Sequence, residues 1–148
     1  MDRKKSILVV DDDKAVLEVI TDILKLQGYR IDTAETGHEA IEKTEKKYYN
    51  LALLDIKLPD MEGTQLLIKM HRETPKMMKI MITGYASLEN AIESLNLGAD
   101  AYLMKPIEAE KMLKVVKDKL KTQEESESMS EEKVAEWIKS RVRKIKKS

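Results

Sequence analysis

The 148-residue chain has no cysteine and no phenylalanine, only two histidines, three prolines and five glycines. Without cysteine there is no disulfide framework, no thiolate metal site and no thiol nucleophile. Two isolated histidines, His38 and His71, cannot build a histidine-rich metal cluster. Neither sign of charge dominates: 27 Lys+Arg balance 27 Asp+Glu. Binding to nucleic acid through overall charge is therefore not expected. No purely apolar run exceeds four residues, far short of the roughly 20 that cross a bilayer. The charged start Met1-Asp2-Arg3-Lys4-Lys5-Ser6 leads into only four apolar residues, too few for a secretory leader, so a cytoplasmic protein is expected. What the chain does have is apolar mass, 42% of its residues. That suffices for one ordinary core with a short extension.

Four short apolar runs read as buried strands: Ile7–Val10, Leu51–Leu54, Ile80–Ile82 and Ala101–Met104. Tyr29–Ala34 alternates polar and apolar, as a half-exposed edge strand does. The intervals between these segments are too long for hairpins and suit a strand followed by a crossover helix. The helices show as apolar stripes. Val16, Leu17, Ile20, Ile23, Leu24 and Leu26 mark the first, which Gly28 ends. Ala40, Ile41 and Thr44 mark the second, and Leu66, Leu67 and Met70 the third. Ser87 is a candidate cap for a fourth that Gly98 closes. Leu113, Val116 and Leu120 mark the fifth. Five strand–helix repeats predict an α/β, doubly wound (βα)5 parallel sheet. The polar second strand belongs at an edge and the most apolar strands in the middle.

Residues 122–130 are rich in serine and glutamate, and predict a solvated linker. A last helix is expected over 131–148, capped by Ser130, with Val134, Trp137, Ile138, Val142 and Ile145 on its apolar face. Its basic end, Arg141 to Lys147, suits a helix C-terminus without any ligand.

In an open parallel sheet, ligands bind outside the carboxyl ends of the strands. There the sequence places Asp11, Asp12 and Asp13 after the first strand, Asp55 after the third, Thr83 after the fourth and Lys105 after the fifth. Any one of these is unremarkable alone; Asp13, for instance, reads as a helix cap. Jointly they converge on one end of one sheet. Like-charged carboxylates about 4 Å apart repel by roughly 4 kcal/mol at an effective dielectric near 20. A hard divalent cation offsets that, and all-oxygen ligands point to Mg²⁺. A carboxylate, a cation, an ammonium and a hydroxyl around one point describe a phosphoryl-transfer site. The carboxylate can itself be the nucleophile.

These residues resemble the receiver domain of two-component response regulators. The matching pieces are Ile7-Leu8-Val9-Val10-Asp11-Asp12-Asp13, Leu53-Leu54-Asp55-Ile56-Lys57-Leu58-Pro59, Asp60-Met61-Glu62-Gly63, Met81-Ile82-Thr83-Gly84-Tyr85-Ala86, Gly98-Ala99-Asp100 and Tyr102-Leu103-Met104-Lys105-Pro106. The likeness covers about residues 5–121, and a receiver domain is expected over 1–121. It implies the flavodoxin-like strand order 2-1-3-4-5. It also implies that Asp55 takes a phosphoryl group from a sensor histidine kinase or phosphotransfer protein, and that Asp11, Asp12, Asp55 and the Lys57 backbone carbonyl hold Mg²⁺. Lys105 would pair with the phosphoryl oxygens. Thr83 and Tyr102 would act as the switch, re-shaping the fourth helix, fifth strand and fifth helix for a downstream protein partner. Lys105–Pro106 is expected to be cis. The Lys57 side chain would stand at the mouth of the site and prolong the phosphorylated lifetime.

His38 and His71 match no role in the family and are expected at the surface. The roughly 27 residues after 121 hold too little for a DNA-binding or catalytic domain, so a stand-alone receiver is expected. The last helix is free to dock on its own domain, on a twin subunit in a homodimer, or on another protein, with Trp137 as the obvious anchor. A rival reading is a metal-dependent phosphohydrolase with an aspartate nucleophile. It lacks the acid/base carboxylate two residues beyond Asp55, where Lys57 stands. A third makes the basic end of the tail a nucleic-acid or membrane-surface element, which the glutamates of the same tail oppose.

Overall fold

The computed structural model describes residues 4–84 and 88–147. Strands and helices alternate as β1 (Ser6–Val10), α1 (Lys14–Leu26), β2 (Arg30–Ala34), α2 (Gly37–Lys46), β3 (Leu51–Asp55), α3 (Gly63–Glu73), β4 (Met78–Thr83), α4 (Leu88–Asn96), β5 (Ala101–Met104) and α5 (Ala109–Lys147). The five strands form one sheet in the order β2-β1-β3-β4-β5, with every pairing parallel. This is the expected flavodoxin-like topology. Hydrophobic pattern explains the order. β3 is buried along its whole length and β1 nearly so, whereas β2 exposes its start and reaches full burial only at Ala34.

Side chains alternate across the sheet, so each strand feeds two cores. On one face Ile7, Val9, Leu51, Leu53, Ile80 and Ile82 pack with Leu17, Ile20 and Leu24 of α1 and Met112, Val116 and Leu120 of α5. On the other, Leu8, Val10, Ala52, Leu54 and Met81 pack with Ala40 of α2 and Leu66, Leu67 and Met70 of α3. Asp13 caps α1, its carboxylate accepting from the Ala15 and Val16 amides at 2.9 and 3.3 Å. Gly28, at φ +90°, ends that helix in a conformation that favours glycine. Leu26, read as part of the α1 stripe, is instead exposed.

Two departures from the sequence reading matter. β4 begins at Met78 rather than Ile80, which carries Lys79 into the interior with no exposed surface. Its ammonium donates to the Thr74 carbonyl at 2.6 Å, and its amide to Asp100 Oδ2 at 2.8 Å. The larger correction concerns residues 122–130. They are not a linker, and Ser130 caps nothing, because α5 runs unbroken from Ala109 to Lys147. Gln123 explains the continuity. It is buried, and its side-chain amide donates to the Asn50 and Lys76 carbonyls at 2.9 and 2.7 Å. Those carbonyls precede β3 and β4, so the helix is fastened beneath the sheet where the composition suggested a break.

The Ser87 cap falls outside the described residues. Among the described residues, no helix is long and apolar enough to cross a membrane.

Candidate functional site

Each strand end is tied to its neighbour by the backbone. The Asp11 amide donates to the Ala34 carbonyl, the Ile56 amide to Ile82, and the Lys105 amide to Thr83. These bonds bring together the side chains that the sequence placed at strand ends. Asp11, Asp55 and Thr83 are buried and Asp12 is exposed. Carboxylate oxygens of Asp11, Asp12 and Asp55 lie within 4.8 Å of one another. Lys105 reaches in from the end of β5, its Nζ 2.8 Å from Asp11 Oδ2 and 3.6 Å from Asp55 Oδ1. The Lys105–Pro106 peptide is cis, as expected.

The electrostatics follow from crowding. Burial pushes the Asp55 carboxyl up to about 6, and the charges of Asp11 and Asp12 push the same way. Lys105 and the Lys57 N–H oppose the rise. For Lys105 itself, burial pulls the ammonium down, but the Asp11 and Asp55 carboxylates outweigh burial and hold it above its ordinary value.

One ammonium does not balance three carboxylates. Asp11 Oδ1 accepts from the Asp13 amide at 2.9 Å. Asp11 Oδ2 is buried and faces the Lys105 ammonium at 2.8 Å. Three carboxylates gathered around one ammonium, two of them buried, are a donor set that fits a hard divalent cation.

The loop from β3 to α3 frames this pocket. Lys57 and Glu62 form a single antiparallel bridge, and the Lys57 side chain is exposed. Asp60 reaches away to the start of α2, accepting from the Gly37 and His38 amides at 2.8 and 2.9 Å and pairing with the His38 ring. Slight desolvation pushes the Asp60 carboxyl up, but those amides and the ring prevail and hold it at about 2. Gly63 opens α3 directly against the end of β3. Asp60 and Gly63 belong to the loop motif Asp60-Met61-Glu62-Gly63, which by itself assigns neither a task. The spacing Asp-x-x-Gly was the available signal, but its partners lie on other elements.

His38 and His71 are both exposed. The ring of His71 lies over Gly98, whose φ is +111°. Tyr102 is half-buried on β5, opposite Met81 in the sheet register. It packs against the core cluster that contains Met81.

A family model described as the response regulator receiver domain matches residues 7–117. Among curated relatives, the transcriptional regulatory protein ZraR of Klebsiella oxytoca is 36% identical over 106 residues, which span 72% of this chain and 24% of that protein. The response regulator protein FleR of Pseudomonas aeruginosa is 31% identical over 110 residues, 74% of this chain and 23% of its own length. The chain thus spans about a quarter of these relatives. Among solved structures, a CheY-like response regulator receiver domain protein from Methanospirillum hungatei JF-1 has 53% identity and a TM-score of 0.81, covering 84% of this chain and 99% of that one. The receiver domain of a Luxo repressor protein from Vibrio parahaemolyticus has 29% identity and a TM-score of 0.81, covering 84% and 96%.

Proposed function

Because the chain belongs to the response regulator receiver family, we propose that it is a phosphorylatable switch whose acceptor is Asp55. The observation that carries this reading is the meeting of Asp11, Asp12, Asp55 and Lys105 at the carboxyl ends of three different strands, with Thr83 ending a fourth. In the proposed step an Asp55 carboxylate oxygen attacks the phosphorus of a phosphohistidine on a sensor histidine kinase or phosphotransfer protein. The O–P bond forms, the P–N bond breaks, and the imidazole leaves with the electron pair. Lys105 already lies within ion-pair distance of Asp55, so its ammonium is placed to neutralise charge on the incoming oxygens.

Asp11, Asp12, Asp55 and the Lys57 carbonyl would hold Mg²⁺, which when bound supplies positive charge at the phosphoryl oxygens. Asp11 serves twice in this reading, since it also orients Lys105. Thr83 is fully buried at the end of β4, next to the position an acyl phosphate would take. A phosphoryl group adds roughly −1.5 to −2 charges and three acceptor oxygens, enough to draw the Thr83 hydroxyl toward it. Tyr102, two register positions from the end of β4, would then move inward.

The output surface would be α4, β5 and α5. Ile92 and Leu95 on α4 and Met104 on β5 are each about half exposed, an apolar patch that suits a downstream protein partner. Incubation with acetyl phosphate and Mg²⁺, followed by intact mass measurement, tests the reading. One phosphoryl group should be gained by the native chain and none by Asp55→Asn. Equal labelling of both refutes Asp55 as the acceptor.

A further inference from the structure

A groove of about 700 Å³ lies at the end of the sheet opposite the acidic cluster. Its floor includes Met78 and Asp100, and its wall is α5, through Glu127, Glu131, Val134 and Ile138. Beyond Gln123 every residue of the helix from Glu124 to Ile145 is exposed. Five of these are large and apolar at helical spacing, Val134 (58% exposed), Trp137 (59%), Ile138 (50%), Val142 (43%) and Ile145 (72%). They make one stripe, with Arg141 stacked on the Trp137 ring at 4.9 Å. A helix gains most of its stability by packing such a stripe.

The charges along the helix identify what packs there. Glu124, Glu125, Glu127, Glu131 and Glu132 occupy a stretch with no basic residue, and Lys139, Arg141, Arg143, Lys144, Lys146 and Lys147 one with no acid. The helix dipole accounts for the basic end. It does not account for the acidic block, which lies mid-helix because α5 starts at Ala109. The two blocks complement each other only when two such helices run in opposite directions.

We propose that the outer half of α5 pairs antiparallel with α5 of a second copy of this chain, forming a homodimer. Matching apolar positions as in an antiparallel coiled coil sets Val134 of one copy against Ile138 of the other. The same register sets Glu131 against Arg141 and brings both Trp137 side chains near the two-fold axis. The interface is self-complementary, as a two-fold dimer requires. The basic end of each copy then approaches the groove of the other, where Asp100, Glu127 and Glu131 receive it. A parallel pair would set acid on acid and base on base.

Sedimentation velocity of the full chain across a range of micromolar concentrations tests this, with no phosphodonor present. The native chain should dimerise, and Ile138→Asp should weaken the dimer by about tenfold or more with helix content by circular dichroism retained. Glu127→Lys/Glu131→Lys and Arg141→Glu/Lys144→Glu chains should each be monomeric alone and dimerise when mixed. Because the chain has no cysteine, orientation is read by cross-linking: Ser130→Cys should form a disulfide with Lys144→Cys and not with itself. A native monomer at every concentration, a dimer indifferent to Ile138→Asp, or self-cross-linking of Ser130→Cys each overturns the proposal.

Discussion

A β-carbon built on Gly63 would stand 2.1 Å from the carbonyl oxygen of Asp55. No side chain fits there, because the Gly63 amide also donates to the Ile56 carbonyl at 2.7 Å. The start of α3 is thus pressed against the residue that carries the proposed chemistry. Gly63→Ala must move backbone, at a cost of about 1–3 kcal/mol, and should lower phosphorylation yield as well as stability. Gly84 has no atom within 4 Å of a built β-carbon. Gly84→Ala should change the urea midpoint little, and equal losses in both variants would refute the steric account.

The second prediction concerns pH. Asp55 titrates at about 6 in the fold, against an ordinary 3.8. The folded state therefore holds this proton more tightly than the unfolded chain does. Its stabilising contribution is complete below pH 3.8 and is lost as pH rises through 6. In chelator-containing buffer, Asp55→Asn should be more stable than the native chain at pH 7 by about 1–2 kcal/mol, allowing for solvent screening. That advantage should vanish near pH 4. A pH-independent difference between the two chains would count against the crowding described here.

Asp60 should behave in the opposite sense. Its carboxylate holds the first amides of α2 and titrates near 2, so its contribution is present above pH 3.8 and lost as pH falls toward 2. Asp60→Ala should cost about 1 kcal/mol at pH 7, and the gap should close on acidification. Thermal unfolding of both chains at pH 7 and at low pH measures it.

Gln123→Ala removes two hydrogen bonds, one to the Lys76 carbonyl and one to the Asn50 carbonyl, which keeps the Met78 amide as a donor. Losing two such bonds costs about 1–3 kcal/mol. Hydrogen exchange should accelerate in α5 around residue 123 while β1 and β3 stay protected. Unchanged exchange there would mean that some other contact holds the helix.

Lys57 lies two residues past the proposed acceptor with an exposed side chain, and we propose that it guards the path of an attacking water. Its ammonium should shield an acyl phosphate on Asp55. The dephosphorylation rate should rise by several-fold in Lys57→Ala; equal or slower loss would exclude the shielding role.

The site was largely legible because parallel α/β sheets present their strand ends together. Once the apolar runs were placed, Asp11, Asp12, Asp55, Thr83 and Lys105 followed as the residues just beyond them. Lys79 was not legible. A lysine at the start of a strand ordinarily points to solvent, and only the Thr74 carbonyl and the length of β4 place this one inside. Asp60 was visible as part of a motif, but its partners on α2 lie 22 and 23 residues away.

Local pattern by itself determined the order of strands and helices, which strand lies at an edge, and which residues crowd at the sheet's carboxyl end. These follow from periodicities that a short segment carries within itself. Whether the chain breaks after residue 121 was decided elsewhere. Glutamate and lysine favour helix while the serines weaken it, so the segment is locally balanced. Two hydrogen bonds from Gln123, one to a carbonyl 73 residues away in sequence, resolve it as helix, and only the folded sheet brings those carbonyls within reach.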